Sequence, residues 1–387
     1  MSLDSYGSPE IARLMAASRG DPTREPVRRL MARRINWREL TRLAIESHAT
    51  PGLWQVVSSY PNLPPEAREL QSVAVLNDFR RHHIRTLTAR VTSQLAAHGI
   101  EVLALKGAAL LAGGVTRPSQ RTMSDIDLLV TKGSPETAWH VCRTNGWTLV
   151  DTAWTEDLYK SHHHLAPLLD PEGVNVGLEL HRKLLSSVER LGLNVGEILA
   201  RSRTVDVAGV PVRVPSVEDL LLHSCLHFAW SNKLQRGAWR AYADVNAILA
   251  DPSFAWERFL PLAHSRRARQ CCYWTLRLGR VVADLPVPDE ALRQLDPSAG
   301  GRFARKLEMH FAMQIADPRE ENVIAQRARR WLWFAAMREP VRSAEADELW
   351  NEGAVEVPGE GVAPKPKRRV QTAFATSGHV WRLLLRR

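Results

Sequence analysis

Strand-forming runs in this chain are confined to one stretch, about 99–214, and helical periodicity flanks it on both sides. That distribution predicts an α+β protein: an N-terminal helical region over 1–98, a sheet-containing core over 99–214, a C-terminal helical domain over 215–350, and a linker with a basic tail over 351–387. Asn36-Trp37-Arg38-Glu39-Leu40 opens an amphipathic segment that runs to about His48. Pro64 and Pro65 start a longer one, with apolar positions Leu70, Val73, Leu76, Phe79, Ile84, Leu87 and Val91 mostly three or four apart, and His98-Gly99 stops it.

Within the core, Glu101 to Leu105 reads as a short buried strand that turns at Lys106-Gly107 into a small-residue helix ending near Leu111. A loop carrying Gly113-Gly114 and Arg117-Pro118 leads to a second strand, Ile126 to Val130. Ser134-Pro135 supplies an N-cap and a first helical residue, and that helix ends at Asn145-Gly146. Trp147 to Val150 is a third strand. The runs 163–169 and 174–181 make a hairpin around Asp170-Pro171-Glu172-Gly173, and 205–207 with 210–214 make another around Ala208-Gly209. Ser216-Val217-Glu218-Asp219 is a capping box opening a helix to about Trp230, with further helices expected at 238–250, 255–264, 268–284 and 301–315. The stretch 353–367, rich in Pro, Gly and Glu, reads as a linker or disordered arm, and Val380 to Leu385 as a tail that docks on the body or, as the second choice, touches a membrane.

The net charge of +10 favours an anionic partner such as a nucleotide. The basic runs (Arg24, Arg28, Arg29, Arg33, Arg34 and Lys365 to Arg369) are scattered at the ends and not interleaved with aromatics, so they read as solvated surface rather than a nucleic-acid interface. Four Cys without a C-x-x-C pair fit reduced thiols, and the 13 Trp fit helix interfaces. No basic segment followed by an apolar one opens the chain, and no apolar run is long enough for a transmembrane segment. A cytoplasmic protein is the expectation.

The chemistry concentrates in Arg121-Thr-Met-Ser124-Asp125-Ile-Asp127-Leu-Leu-Val130. On a strand, Asp125 and Asp127 project from one face about 7 Å apart, where two carboxylates can share Mg²⁺ with substrate phosphates. Lys106-Gly107 stands at a strand-to-helix junction, where backbone N–H groups and the Lys ammonium can meet phosphate oxygens. Glu179 and His181 have same-face spacing on a neighbouring run; Glu179 is the better third ligand or general base, because carboxylate suits Mg²⁺ better than imidazole does. His223 and His227 share a helix face and read as structural or substrate-lining residues; Asp244 reads as the partner of an Arg or as a residue facing the cleft. His162-His163-His164 would alternate faces on a strand, which argues against a chelating cluster.

Taken together, LALKGAALLAGG, RTMSDIDLLV, HHLAPLLDPEGVNVGLELHRKLL, SVEDLLLHSCLHFAW and WRAYADVNAIL resemble the uncharacterised nucleotidyltransferase family of the DNA polymerase beta-like superfamily, over roughly residues 70–295. The resemblance implies a small mixed β-sheet flanked by helices. It also implies transfer of a nucleoside monophosphate from an NTP to an acceptor, using two Mg²⁺ ions, in proteins often encoded in bacterial biosynthetic clusters. By position it makes Asp125 and Asp127 the paired metal-binding aspartates, Glu179 the third acid and Gly107 the phosphate-contacting glycine. Two departures are visible: Ala108 follows Gly107 where Ser or Gly is usual, and the gap to Asp125 is long. Arg121 and Ser124 are the residues that could compensate at the phosphates. The expected activity is AMP transfer from ATP to a hydroxyl on a small molecule, peptide or protein. The alternatives are a catalytically inactive nucleotide-binding module of the same fold and, ranked last, nucleic-acid recognition.

Overall fold

Seven strands hydrogen-bond into one mixed sheet in the computed structural model of the chain, in the order β3-β4-β5-β2-β1-β7-β6. The structure describes residues 35–59, 63–115, 121–150, 159, 162–185, 193–234, 238–265, 268–296, 302–316 and 323–337. The strands are β1 (Glu101–Ala104), β2 (Asp125–Lys132), β3 (Thr148–Leu149), β4 (Leu168–Leu169), β5 (Gly177–His181), β6 (Arg203–Val207) and β7 (Val210–Val214). The central strand, β2, pairs antiparallel with β1 and parallel with β5. Ile126, Leu128 and Leu129 are all buried, so β2 is covered on both faces, as a central strand requires. The α+β reading with a mixed sheet holds.

Thirteen α-helices surround the sheet among the described residues: α1 (Trp37–Glu46), α2 (Thr50–Val57), α3 (Pro65–Ala97), α4 (Lys106–Ala112), α5 (Pro135–Thr144), α6 (Val195–Arg201), α7 (Val217–Leu226), α8 (Ala238–Leu249), α9 (Trp256–Ser265), α10 (Arg269–Ala283), α11 (Asp289–Leu295), α12 (Arg302–Ala316) and α13 (Val323–Met337). A π turn, His227–Ser231, continues α7. The capping signals behave as read: the Ser134 and Ser216 side chains accept N–H bonds from Thr137 and Asp219. Ala208 and Gly209 both take positive φ (53° and 81°), the two-residue turn whose twist suits the β6–β7 hairpin.

Three expectations need correction. The buried face of α3 runs through Leu70, Ala74, Asn77, Arg81, Ile84, Thr88, Val91 and Leu95, whereas Leu76 and Phe79 are 49% and 59% exposed. The stripe steps alternately by four and three, and its centre is polar because Asn77 holds the segment entering β2. The strand expected over 163–169 shrinks to β4 and a bridge from His164 to His181, because 162 and 163 form a bend. Helices α2, α6, α11 and α13 were not anticipated. The basic terminal runs, Arg117-Pro118, the linker and the tail lie outside the described residues. No helix among the described residues is long and apolar enough to cross a membrane.

Candidate active site

Parallel pairing of β2 with β5 sets Asp125 opposite Gly177, Asp127 opposite Glu179 and Leu129 opposite His181. Because successive side chains alternate, both aspartates share one face of β2, and Glu179 and His181 share that face of β5. Asp127 is 1% exposed and takes two partners: Lys106 Nζ at 2.7 Å and His181 Nε2 at 3.0 Å. Glu179 Oε2 lies 3.5 Å from His181 Nε2 and 3.8 Å from Lys106 Nζ. Ligand atoms of Asp127, Glu179 and His181 all fall within 4.8 Å of one another. Asp125 stands at the start of the same face but outside that trio, so the tightest grouping substitutes His181 for it.

The electrostatics separate the two aspartates. Burial pushes Asp127 up, but the Lys106 charge and the His181 hydrogen bond outweigh it and hold the carboxyl well below its usual range. Burial raises Asp125, and Asp127 and Glu179 raise it further, more than Arg240 and Lys106 lower it. Burial would lower His181 and Lys106, yet bonds and charges from Asp127 and Glu179 leave both raised. Asp125 is thus short of positive charge.

Lys106 reaches this cluster from the junction of β1 and α4 with φ 44°, a backbone region costly for a side chain with a Cβ. The Leu105 N–H donates to the Asp127 carbonyl at 2.9 Å, tying the junction to β2. Next to it, the space where a Cβ on Gly107 would project is filled by the Arg121 guanidinium, with Nη1 nearest. Arg121 cannot easily retreat, because its Nε donates to Asp244 Oδ1 at 2.6 Å in a buried pair. The sequence reading gave Arg121 to phosphate; the structure gives its Nε to Asp244, and the pairing expected of Asp244 is present. Gly107→Ala is therefore expected to lower stability by about 1–3 kcal/mol through overpacking, measured by urea denaturation; an unchanged midpoint would show that Arg121 yields freely.

Asn77 sets the approach to β2 from α3. Its Nδ2 donates to the Arg121 carbonyl (2.8 Å) and its Oδ1 accepts from the Met123 N–H (3.0 Å). Ser124 is exposed, and its carbonyl accepts from the Gly177 N–H at 2.8 Å, locking the register of β2 on β5. Helix α7 packs against α4 and carries His223, and His227 opens the π turn that continues it. Burial, then the charges of Lys106 and His181, pushes His223 down to about 3, and His227 also falls well below its usual value. Sequence reasoning missed Asn77, ranked His181 below Glu179, and dismissed the three consecutive histidines, whose rings in fact gather (below). A polar residue in phase with an apolar stripe was the available signal for Asn77.

The family model for uncharacterised nucleotidyltransferases matches residues 33–283, well over half of the chain. The chain belongs to that family. Membership makes nucleotidyl transfer its reaction class, and the matched span runs from just ahead of α1 to the end of α10. A comparison with curated proteins gives no match. Among solved structures, this nucleotidyltransferase-family chain is similar to an antigenic nucleotidyltransferase-like protein from Paracoccidioides brasiliensis, at 16% identity and a TM-score of 0.33, covering 55% of this chain and 92% of the other.

Proposed function

We propose that the chain transfers a nucleoside monophosphate, AMP from ATP in the leading case, to a hydroxyl or similar group on a small molecule, peptide or protein, with Mg²⁺ as cofactor. The observation that carries this reading is the register of β2 on β5, which sets Asp127 beside Glu179 with Asp125 two residues earlier on the same face. The donor set suits Mg²⁺: hard carboxylate oxygens, with an acid in Asp125 that burial and its neighbours leave under-neutralised. Asp125 and Asp127 would hold the metal, with Glu179 as third ligand or as the base for the acceptor proton. Bound there, Mg²⁺ supplies neutralisation of the triphosphate and activation of the attacking oxygen.

Lys106 has two duties in this scheme. Without substrate, its ammonium stands between Asp127 and Glu179 and balances them. From the same position at the junction of β1 and α4, the Lys106 ammonium would meet phosphate oxygens beside Gly107. Arg121 and Ser124, which flank the entry to β2, complete the nucleotide side. His181 holds a proton on Nε2 against Asp127 and orients that carboxylate.

Two findings favour the second reading, a nucleotide-binding module without turnover: the side chain of Ala108, where Ser or Gly is usual, is buried, and Arg121 covers Gly107. Calorimetry with ATP, with and without Mg²⁺, combined with a pyrophosphate-release assay over a panel of acceptors, separates them. The expected result is Mg²⁺-dependent ATP binding and pyrophosphate release with at least one acceptor. ATP affinity indifferent to Mg²⁺ would count against both readings of the carboxylate cluster.

A further inference from the structure

His162, His163 and His164 form a second group of metal-ligating side chains, outside the carboxylates that the proposed transfer uses. One ring nitrogen from each lies within 4.8 Å of the other two. The ring centroids stand 4.1 Å (His162–His163), 4.1 Å (His162–His164) and 4.8 Å (His163–His164) apart. Three consecutive residues converge because the backbone bends at 162–163 before the bridge to His181. Backbone bonds pin this bend to the end of β5: Leu165 N–H donates to the Leu180 carbonyl at 2.9 Å, and Arg182 and Lys183 N–H donate to the His163 carbonyl at 2.8 and 3.1 Å. Arg182 also donates to the Tyr159 carbonyl (2.7 Å) and pairs with Glu136 (2.8 Å), holding the segment from its other end.

The nitrogens are in a state to bind. His164 Nδ1 lies 2.7 Å from the Leu165 carbonyl, which can only accept, so that nitrogen carries the proton and Nε2 keeps its lone pair. His162 Nδ1 and His163 Nδ1 are buried and find no hydrogen-bond partner among the described residues. Buried polar atoms left in that condition call for an explanation, of which a bound ion is one.

The geometry points to a nitrogen-donor cation site at His162, His163 and His164, suited to a borderline first-row divalent ion, Zn²⁺ above all, at the edge of the carboxylate cluster. Imidazole donors select such ions over Mg²⁺, so the two neighbouring sites would sort different metals. Ligand atoms on a tetrahedral Zn²⁺ stand about 3.4 Å apart for bonds of about 2.1 Å, so the three nitrogens would draw closer on binding. Three protein ligands leave one position open to water or to a substrate oxygen. His164 Nε2 lies 3.9 Å from Glu179 Oε2, so an ion here would act on that carboxylate. None of this depends on nucleotidyl transfer.

The test uses the full chain without a polyhistidine tag, stripped with chelator and titrated with Co²⁺ and then Zn²⁺. We expect one Co²⁺ bound with nitrogen-type visible bands, and displacement by Zn²⁺. His162→Ala and His163→Ala should each weaken binding at least 10- to 100-fold, the loss seen even for supporting residues around metal ligands. Glu179→Gln should keep the bands. Bands that vanish in Glu179→Gln but survive both histidine variants would move the ion to Asp127, Glu179 and His181 and overturn the assignment, as would the absence of saturable binding. X-ray absorption on the wild-type Zn²⁺ complex needs no variant: three imidazoles support the site, and one or none ends it.

Discussion

Asp125→Asn and Asp127→Asn are expected to reduce nucleotidyl transfer alike, each by on the order of 10³-fold, while moving the stability of the fold in different directions. The activity loss follows from the shared role: each substitution removes a charge that would hold the metal. The stabilities diverge because their partners differ. Asp127 neutralises Lys106 Nζ at 2.7 Å and accepts from His181 Nε2 at 3.0 Å. An amide there leaves a cation poorly matched in a low-dielectric site, at a cost of about 3 kcal/mol, the lower end for a broken buried pair because the Lys106 side chain stays partly exposed. Among the described residues Asp125 has no such partner, and burial with two acidic neighbours disfavours its ionised form. Removing that charge should leave the fold as stable or more so.

The pH dependence with divalent cations chelated carries the same signature. Asp125 binds its proton more tightly folded than unfolded, so it erodes stability as pH rises from 3.8 through its raised folded value. Asp127 does the reverse: its contribution is present above 3.8 and disappears only as pH falls through its depressed folded value. Asp125→Asn should abolish the first slope and Asp127→Asn the second. Urea denaturation across acidic pH, alongside pyrophosphate release, reads both. Equal destabilisation by the two variants, or retained turnover in either, would remove the assignment of roles.

What the sequence disclosed and what it hid divide along physical lines. Punctuation at Ser134, Asn145-Gly146 and Ala208-Gly209 is local, and the structure repeats it; the strand at Ile126 to Val130 also forms, but Leu129 is buried with Ile126 and Leu128 while Val130 is half-buried. The same-face placement of Asp125 with Asp127, and of Glu179 with His181, also follows from local alternation; that Asp127 meets Glu179 needed the register of two strands far apart in the chain. Lys106 was legible as a residue near phosphate, but its capture by Asp127 depends on a positive φ that no local signal predicts for lysine. The convergence of His162, His163 and His164 was hidden for a related reason. A strand would have split them between two faces, and only the long-range pairing of His164 with His181 bends the chain enough to gather them. Asn77 broke the apolar phase of α3 and was passed over, although an in-phase polar residue on a long buried helix is a long-range clamp that happens to be written locally.

Asp244→Ala is expected to cost about 3–5 kcal/mol, because it strands a buried guanidinium whose Nε now pairs at 2.6 Å. Arg121 lies in the segment that enters β2, and its side chain fills the space over Gly107, so the loss should also be coupled to that glycine. In the wild type Arg121 is held against Gly107, and a methyl group there meets a guanidinium that cannot move. In the Asp244→Ala background the guanidinium is released, and Gly107→Ala should cost less than it does alone; the double-mutant cycle should be non-additive in that direction. Replacing both members, Arg121→Met with Asp244→Leu, should recover most of the stability, since well-packed apolar residues often match a buried ion pair. That repaired variant also tells whether Arg121 touches the nucleotide. If its stability returns while ATP affinity stays weak, Arg121 serves the phosphates as well as the core. If both return, Arg121 is a strut between α8 and the entry to β2, and Lys106 is left as the cation for the triphosphate.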